Sequence, residues 1–377
     1  MELPYTKMAM KLKVLQQDFS KDLSIASRFA SPKAQLPVLG NILLRAKKNK
    51  LLIGATNLET SILISTGAQV EETGELTVPA RTLTDIVSNL PKEHIDLESK
   101  EEKLKVSSPG HSLDVAGMLA TDFPDIPQSV GDDSLEISTT TFVDSLSSVL
   151  FATSHDETRP VLTGVLVTID EEGMLLVATD GFRLSRKKLE GKFGKKKLQV
   201  IVPKSVLSEL TRLVDDRETI DFSVSEKESL CIFGVGDSVL SSRLIQGDFP
   251  NYNKIIPTNS DVTISVDKEE LKRGVKIASV FARDSANVVT FHVSKAGFSL
   301  KSQSDTSGEQ QGVIDAKVDG DIKDEIVIGF NYKFVEDFLG SAIGDNVEMK
   351  FTDEDSAGVF LDVKQPDYLH LIMPVKL

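Results

Sequence analysis

The segment LLVATDGFRLSRKK, residues 175–188, decides how the rest of the chain is interpreted. Its apolar start is typical of a buried strand, and Thr179-Asp180-Gly181 is typical of a tight turn. An Asp can accept hydrogen bonds from the backbone two residues further on, and a Gly adopts positive φ without strain. The strand pattern then resumes at Phe182. The segment therefore predicts a β-hairpin, followed by the basic cluster at residues 186–188.

Weaker copies of this hairpin and of its neighbours occur elsewhere in the chain. The sequence ATNLE at residues 55–59 matches ATDGF at residues 178–182, which lie 123 positions further on. A strand followed by a helix with apolar residues at i, i+4 and i+7 occurs three times, which is the spacing of one helix face. The first strand alternates from Met8 to Val14, and the three helix faces are Phe19, Leu23 and Ala26; Phe142, Leu146 and Val149; and Leu271, Val275 and Ala278.

A second helix is predicted in each third, after TVPAR, VIVPKS and IVIGFNY. DFPD at residues 122–125 matches DFPN at residues 248–251, and QPDY at residues 365–368 is interpreted as a degenerate third copy. Repeats in the same order indicate triplication. We therefore expect an α+β fold with three similar domains, at residues 1–129, 134–257 and 261–377, each with two helices packed on antiparallel sheets.

Composition limits the class of protein. The 57 acidic and 43 basic residues give a net charge of −14, so binding to nucleic acid would require the basic residues to gather on one surface. The single Cys231 excludes an internal disulfide and fits a reducing compartment. No apolar run approaches the ~20 residues that span a membrane, and the N-terminus has no signal-peptide pattern. We expect a cytoplasmic protein.

No catalytic or cofactor motif stands out. Gly234-Val235-Gly236 lacks the third glycine of a dinucleotide fingerprint, and the five histidines have no metal-ligand spacing. Asp353 begins a stretch similar to a calcium loop, but Lys364 occupies its terminal glutamate position. We expect no enzyme activity, no cofactor and no metal.

The hairpin ATDGFRLS, together with VIVPKS, GDFPNY, LPVLGN, TVPAR and the final MPVKL, resembles the bacterial DNA polymerase III β sliding clamp family from end to end. The resemblance implies three domains of the DNA clamp fold, a homodimeric head-to-tail ring around duplex DNA, and a non-catalytic processivity factor. It also implies contact with DNA without sequence specificity, which phosphate contacts provide.

The resemblance further implies a cleft that binds a short peptide, a Gln followed by hydrophobic residues. The proteins that carry this peptide would be the polymerase III alpha subunit, the clamp loader, and other DNA polymerases and repair proteins. Phe182 stands where His is common in the family, and Lys376 where Arg is common. The implied cleft residues are Leu162, Thr179, Gly181, Phe182, Arg183, Leu184, Pro250, Lys254, Ile255, Leu371, Ile372, Met373, Pro374, Val375 and Lys376.

Basic residues on the predicted helices are candidates for contact with DNA. They are Lys21, Arg28, Arg81, Lys204, Arg212, Lys272, Arg273, Lys276 and Lys333, with Lys33 in an adjoining loop. For the head-to-tail subunit contact, the resemblance implies Leu113 and Val115 on one side, and Val280 and Phe281 on the other.

Two other functions share parts of this pattern. A repetitive scaffold that binds only proteins would have the fold and the cleft without DNA contact. A hydrolase that uses carboxylates such as Asp180 and Asp248 would need a concave acidic site.

Overall fold

The computed structural model describes residues 9–191, 193, 197–214, 217–320, 322 and 325–377. Met8, assigned to the first strand from its alternation, lies outside the described residues. The strand itself begins at Lys11.

The first repeat contains two helices among short antiparallel strands. In chain order it comprises β1 (Lys11–Leu15), α1 (Gln16–Ala26), β2 (Asn41–Lys47), β3 (Lys50–Thr56), β4 (Thr60–Glu72), β5 (Gly74–Pro79), α2 (Ala80–Ser88), β6 (His94–Lys100), β7 (Lys103–Ser108) and β8 (His111–Ala116).

The second repeat has the same order of elements. It comprises β9 (Leu135–Ser138), α3 (Thr139–Ser147), β10 (Gly164–Asp170), β11 (Gly173–Thr179), β12 (Arg183–Glu190), β13 (Leu198–Pro203), α4 (Lys204–Leu213), β14 (Thr219–Ser225), β15 (Leu230–Val235) and β16 (Ser238–Arg243).

The third repeat adds one strand, β21, to this order. It comprises β17 (Val262–Asp267), α5 (Lys268–Ala282), β18 (Val288–Ser294), β19 (Gly297–Ser304), β20 (Gly308–Ile314), β21 (Ala316–Gly320), β22 (Ile326–Asn331), α6 (Tyr332–Ser341), β23 (Asn346–Phe351), β24 (Gly358–Asp362) and β25 (Tyr368–Ile372).

Strand pairing repeats along with the order of elements. One set of four strands runs β5-β2-β3-β4 in the first repeat, β13-β10-β11-β12 in the second and β22-β18-β19-β20 in the third. The other set runs β1-β6-β7-β8, then β9-β14-β15-β16, then β17-β23-β24-β25. The expected triplication therefore extends to the hydrogen-bonding order of the strands.

Two strand pairs join one repeat to the next. β4 pairs antiparallel with β16, with Leu240 opposite Ile62, and β12 pairs antiparallel with β25, with His370 opposite Ser185. The described residues form two compact units, one within residues 9–139 and 206–244 and the other within residues 140–205 and 245–377. The first joint lies in the first unit and the second joint in the second unit.

The helices bury the faces that their spacing predicts. Phe19, Leu23 and Ala26 on α1, and Leu271, Val275 and Ala278 on α5, are all fully buried. The expected face of α3 is confirmed at Phe142 and Leu146, but that helix ends at Ser147, so the buried Val149 lies beyond it. Burial on one side leaves the opposite side of each helix in solvent.

The third copy of DFPD was placed wrongly. DFPD at residues 122–125 and DFPN at residues 248–251 both follow the last strand of their repeats, whereas QPDY at residues 365–368 runs into the start of the last strand, β25. It belongs to the β24–β25 turn, where Asp362 accepts a backbone hydrogen bond from Lys364. In the part of the chain that the structure describes, no helix is both long and apolar enough to cross a bilayer.

Candidate partner-binding cleft and basic helix faces

The turn between β11 and β12 is fixed by two side chains. Thr179 Oγ1 donates to the Arg183 carbonyl (2.6 Å) and accepts from the Gly181 amide (3.1 Å). Asp180 Oδ1 accepts from the amides of Phe182 (2.9 Å) and Arg183 (3.0 Å). Gly181 has φ +94°, which costs a glycine nothing. The turn therefore presents the Phe182 ring to solvent, with 61% of the residue exposed.

The same turn recurs between β3 and β4. Thr56 Oγ1 donates to the Thr60 carbonyl (3.0 Å) and accepts from the Leu58 amide (3.1 Å), while Asn57 Oδ1 accepts from the amides of Glu59 and Thr60. The 123-residue match seen in the sequence is thus a match of individual hydrogen bonds. Leu58 occupies the position that corresponds to Gly181, and its φ is +76°.

The C-terminal segment lies beside the hairpin, although the two are far apart in the sequence. β25 continues the ladder of β12, and past its end the Met373 amide donates to the Phe182 carbonyl (2.8 Å). Val375 then donates its amide to Gly329 (2.8 Å). Phe182, Met373 and Val375 are all exposed apolar residues on adjoining backbone. The two segments expected to form one site are in direct contact.

Beneath this surface lies an apolar cluster, and most of its members were not among the cleft residues predicted from the sequence. Leu184 and Leu371 are buried in it, together with Leu166, Val177, Ile201 and Val359. The partly buried members are Val161, Leu175, Ile245, Phe249, Tyr252, Ile256, Leu361 and Leu369. Alternation along β11, β24 and β25 places these residues on one sheet face, and this alternation is the sequence pattern that could have predicted the cluster. The partly buried members keep some apolar surface exposed on that face.

The remaining implied cleft residues differ in accessibility. Leu162, Thr179 and Ile372 are buried and offer little surface to a ligand, and Ile372 packs in the core of the third repeat. Pro250, Lys254, Ile255 and Lys376 are exposed on the segments that flank the cleft, and Pro374 is half-buried.

Arg183 has a largely buried side chain that connects the hairpin to its neighbouring elements. Its guanidinium bonds to the carboxylates of Asp180 and Asp337 and to the Phe151 carbonyl (2.6 Å), and it lies 4.4 Å from the centroid of the Phe334 ring. Only 10% of the side chain is exposed. These contacts connect the hairpin turn to α6, a role that sequence spacing does not reveal.

His370 is a buried polar residue at the same joint. Its Nδ1 lies 2.7 Å from Ser185 Oγ, and its ring stacks on Phe338 with a centroid distance of 5.7 Å. Burial, with a smaller contribution from the Arg183 charge, lowers the pKa of the imidazole to about 3. The ring is neutral at physiological pH and acts as core.

Nine of the ten basic candidates for DNA contact are exposed at the surface. Arg28 and Arg212 both form ion pairs with Glu209, at 2.8 and 2.7 Å, which reduces their net charge. Lys204 is half-buried. Burial lowers the pKa of its ammonium, and the Arg183 charge acts in the same direction.

The residues implied at the subunit contact are mixed in exposure. Leu113 on β8 and Val280 on α5 are exposed, with 37% and 54% of each residue accessible, and Phe281 is half-buried. Val115 is only 5% exposed and packs inside its own domain. Val313 on β20, which the sequence reading missed, is 81% exposed.

The side chains considered for chemistry have structural partners. Asp180 is occupied by its turn and by Arg183, and Asp353 Oδ1 accepts from the amides of Asp355 and Ser356 as in an Asx turn. Burial raises the pKa of the Cys231 thiol to about 12. Within the described ranges, no three His, Cys, Asp or Glu side chains are grouped so that they could hold a metal ion.

Three copies of one order of elements, each with two helices and two four-stranded ladders, define the DNA clamp fold. Comparisons with known proteins agree with that class. The DNA polymerase III beta subunit N-terminal, central and C-terminal domain families match residues 10–127, 136–251 and 253–376. The chain therefore belongs to the DNA polymerase III beta subunit family.

Individual relatives match over their whole length. The beta sliding clamp of Synechocystis sp. is 31% identical, with 98% of this chain and 100% of that protein covered. The beta sliding clamp of Synechococcus elongatus is 29% identical over the same shares. The crystal structure of the C. crescentus beta sliding clamp is 27% identical, covers 98% and 100% of the two chains, and has a TM-score of 0.91. The chain has the sliding-clamp function, which is non-catalytic and serves DNA replication; this replaces the hydrolase and protein-only scaffold alternatives.

Proposed function

We propose that two copies of this chain close head to tail into a ring around duplex DNA, and that the cleft at Phe182 and Met373 tethers the replicative polymerase. The repeated strand joint is the observation that carries this proposal.

Each joint pairs the last strand of the first ladder of one repeat with the last strand of the second ladder of the next repeat. At the first joint these are β4 and β16, and at the second they are β12 and β25. The strands in the corresponding positions that are left over are β8 in the first repeat and β20 in the third. A strand edge with unpaired backbone groups is a template for pairing with another chain. Pairing β8 of one copy with β20 of a second, and the reverse, repeats the same joint and closes six equivalent domains into a ring.

Side chains on these edges support the pairing. Leu113 on β8 and Val313 on β20 are exposed apolar residues, and Val280 and Phe281 belong to α5, which packs against β20. Val115 faces its own core, so we assign it no side-chain role across the contact. The proposed domain boundaries, at residues 1–129, 134–257 and 261–377, give each protomer three of the six domains.

The basic helix faces suit contact with DNA that carries no sequence information. Lys272, Arg273 and Lys276 are exposed on α5, and Lys33, Arg81 and Lys333 are exposed elsewhere. Exposed lysines and arginines attract phosphates in a salt-dependent manner and do not read bases. Pairing of Arg28 and Arg212 with Glu209 weakens that attraction, which favours sliding.

The cleft suits a short peptide with hydrophobic side chains. Its apolar floor lies beneath the exposed Phe182, Met373 and Val375. In the C. crescentus clamp structure, polyethylene glycol is bound at the region proposed to tether the beta motif. We assign the alpha subunit of DNA polymerase III, the clamp loader, and other polymerases and repair proteins to this cleft as alternating partners. A protein with these partners acts in the cytoplasm.

Topological retention tests the ring directly. The protein is loaded by a clamp loader onto a nicked circular plasmid and separated by gel filtration, before and after the plasmid is cut once. We expect co-elution with the circle and loss from the linear form. Equal retention on both forms would refute encirclement.

A further inference from the structure

The joint between the first and second repeats contains a groove to which no role is assigned. A cavity of about 690 Å³ opens there, between the 125–131 linker and strands β14 to β16. Small-ligand sites in proteins have cavities of ~300–1,000 Å³. Its wall combines apolar side chains, chiefly Ile126, Leu230 and Ile232, with the charged Asp125, Glu228 and Arg243.

This groove corresponds in the repeat to the cleft at the second joint. The Arg243 amide donates to the Glu59 carbonyl (2.9 Å), just as the Met373 amide donates to Phe182. Arg243 therefore occupies the position of Met373. By the same register, Ile232 takes the position of Val359 in the cleft floor.

The groove differs from the cleft mainly in charge. Arg243 Nε donates to the Leu58 carbonyl (3.1 Å), and among the described residues no hydrogen bond or ion pair engages its Nη groups. A guanidinium with free donors pairs well with a carboxylate. Arg243 is the one basic side chain that the structure describes on a wall that also carries Asp125 and Glu228, so the wall can pair with a single carboxylate but repels a polyanion such as nucleic acid.

We propose that this groove is a second peptide-docking site, which takes a short extended peptide with an acidic residue beside a large apolar one. The apolar side chain covers Ile126 and Ile232, and the carboxylate pairs with Arg243. The proposal rests on the proposed function, because it assumes that the corresponding cleft binds peptides.

Methyl NMR on the full-length chain separates the two sites. Isoleucine δ1 methyls are labelled, so that Ile126 and Ile232 report on the groove and Ile255 reports on the cleft. The probe is acetyl-Gly-Asp-Leu-Phe-Gly-amide, and the matched probe replaces its Asp by Asn. We expect the Ile126 and Ile232 signals to shift with the Asp peptide, and to do so equally in a variant that lacks residues 373–377.

Two changes test the charge pair. Arg243→Gln is expected to weaken the groove response about 5-fold, the size of a partly exposed charge-assisted pair, and Lys105→Gln is expected to leave it unchanged. The Asn probe on the unaltered protein is expected to show the same weakening, which guards against misfolding of the variant. Static Ile126 and Ile232 signals at millimolar peptide, or equal responses to the Asp and Asn probes, would overturn the proposal. Shifts at Ile255 alone would also overturn the proposal for the groove, but they would agree with peptide binding at the cleft. A failed ring assay would not change the result for the groove.

Discussion

Arg183 and Asp337 form an ion pair that ties the cleft hairpin to helix α6. The same guanidinium also bonds to Asp180 and to the Phe151 carbonyl, and it is 10% exposed. The turn that presents Phe182 and the helix of the following repeat are therefore held by one side chain.

Replacing Arg183 by Lys should destabilise the protein. A lysine cannot reproduce the planar donor fork, so the hydrogen bond from this largely buried side chain to Asp337 or to the Phe151 carbonyl is lost. We expect a loss of about 2–4 kcal/mol in unfolding free energy, measured by denaturant titration. Arg212→Lys, at a side chain that is 65% exposed, is the control and should change stability by less than ~0.5 kcal/mol. Similar small losses for both variants would contradict the structural role of Arg183.

His370 should make stability depend on pH below neutrality. Its folded pKa of about 3 lies below the ordinary value of 6.5, so between these values the unfolded chain binds a proton that the folded chain does not. Stability is then fully present above pH 6.5 and falls as the pH drops toward 3. The largest slope for one such group is about 1.4 kcal/mol per pH unit.

The double variant Ser185→Ala/His370→Leu should flatten this dependence. At the first joint the corresponding residues are Ile62 and Leu240, so the fold already accepts apolar side chains there. Thermal melts of both proteins between pH 7.5 and 4.5 provide the comparison, since every other titrating group is shared. Parallel curves would show that His370 does not stay neutral in the folded state.

The sequence predicts the repeats better than it predicts the joints. Turn chemistry at Thr179 and Asp180 and helix periodicity at Leu271 and Val275 are local, so they can be read from spacing. The Arg183–Asp337 pair is 154 positions apart and depends on how two repeats dock, which has no local signal. The cleft floor was missed for the same reason, because residues such as Phe249 and Leu361 come together only after folding.

The exposed apolar rim of the cleft should control polymerase binding. Removal of an aromatic or Met side chain from such a contact costs roughly 1.5–3 kcal/mol, or about 10- to 100-fold in affinity. We expect Phe182→Ala and Met373→Ala each to reduce polymerase stimulation on primed circular DNA by about that factor, with the oligomeric state unchanged. The control is Ile343→Ala, at another exposed apolar residue. Full stimulation by both cleft variants would remove the cleft assignment.

Basic residues on α5 should contribute to DNA contact independently of base sequence. Lys272→Glu and Lys276→Glu are expected to weaken binding of open duplex DNA and to reduce its dependence on salt, because each change removes a phosphate partner. Fluorescence anisotropy with AT-rich and GC-rich duplexes at several salt concentrations gives the measurement. Lys105→Glu, on β7, is the matched control. A loss confined to one duplex sequence would argue against phosphate contact.

Ring closure through β20 makes a prediction about mass in solution. Val313 is 81% exposed in the single chain, so its replacement by Asp leaves the folded protomer undisturbed. In the proposed joint the same side chain is covered by β8 of the second copy, and an unpaired carboxylate there is costly. Val313→Asp should therefore shift the protein from about twice 41.2 kDa to 41.2 kDa in light scattering, with an unchanged melting temperature. Val363→Asp, at an apolar residue that is 57% exposed outside this edge, should remain a dimer. If Val313→Asp also stays dimeric across the micromolar range, the subunits do not meet at β20, because a buried carboxylate at that joint could not leave its affinity untouched.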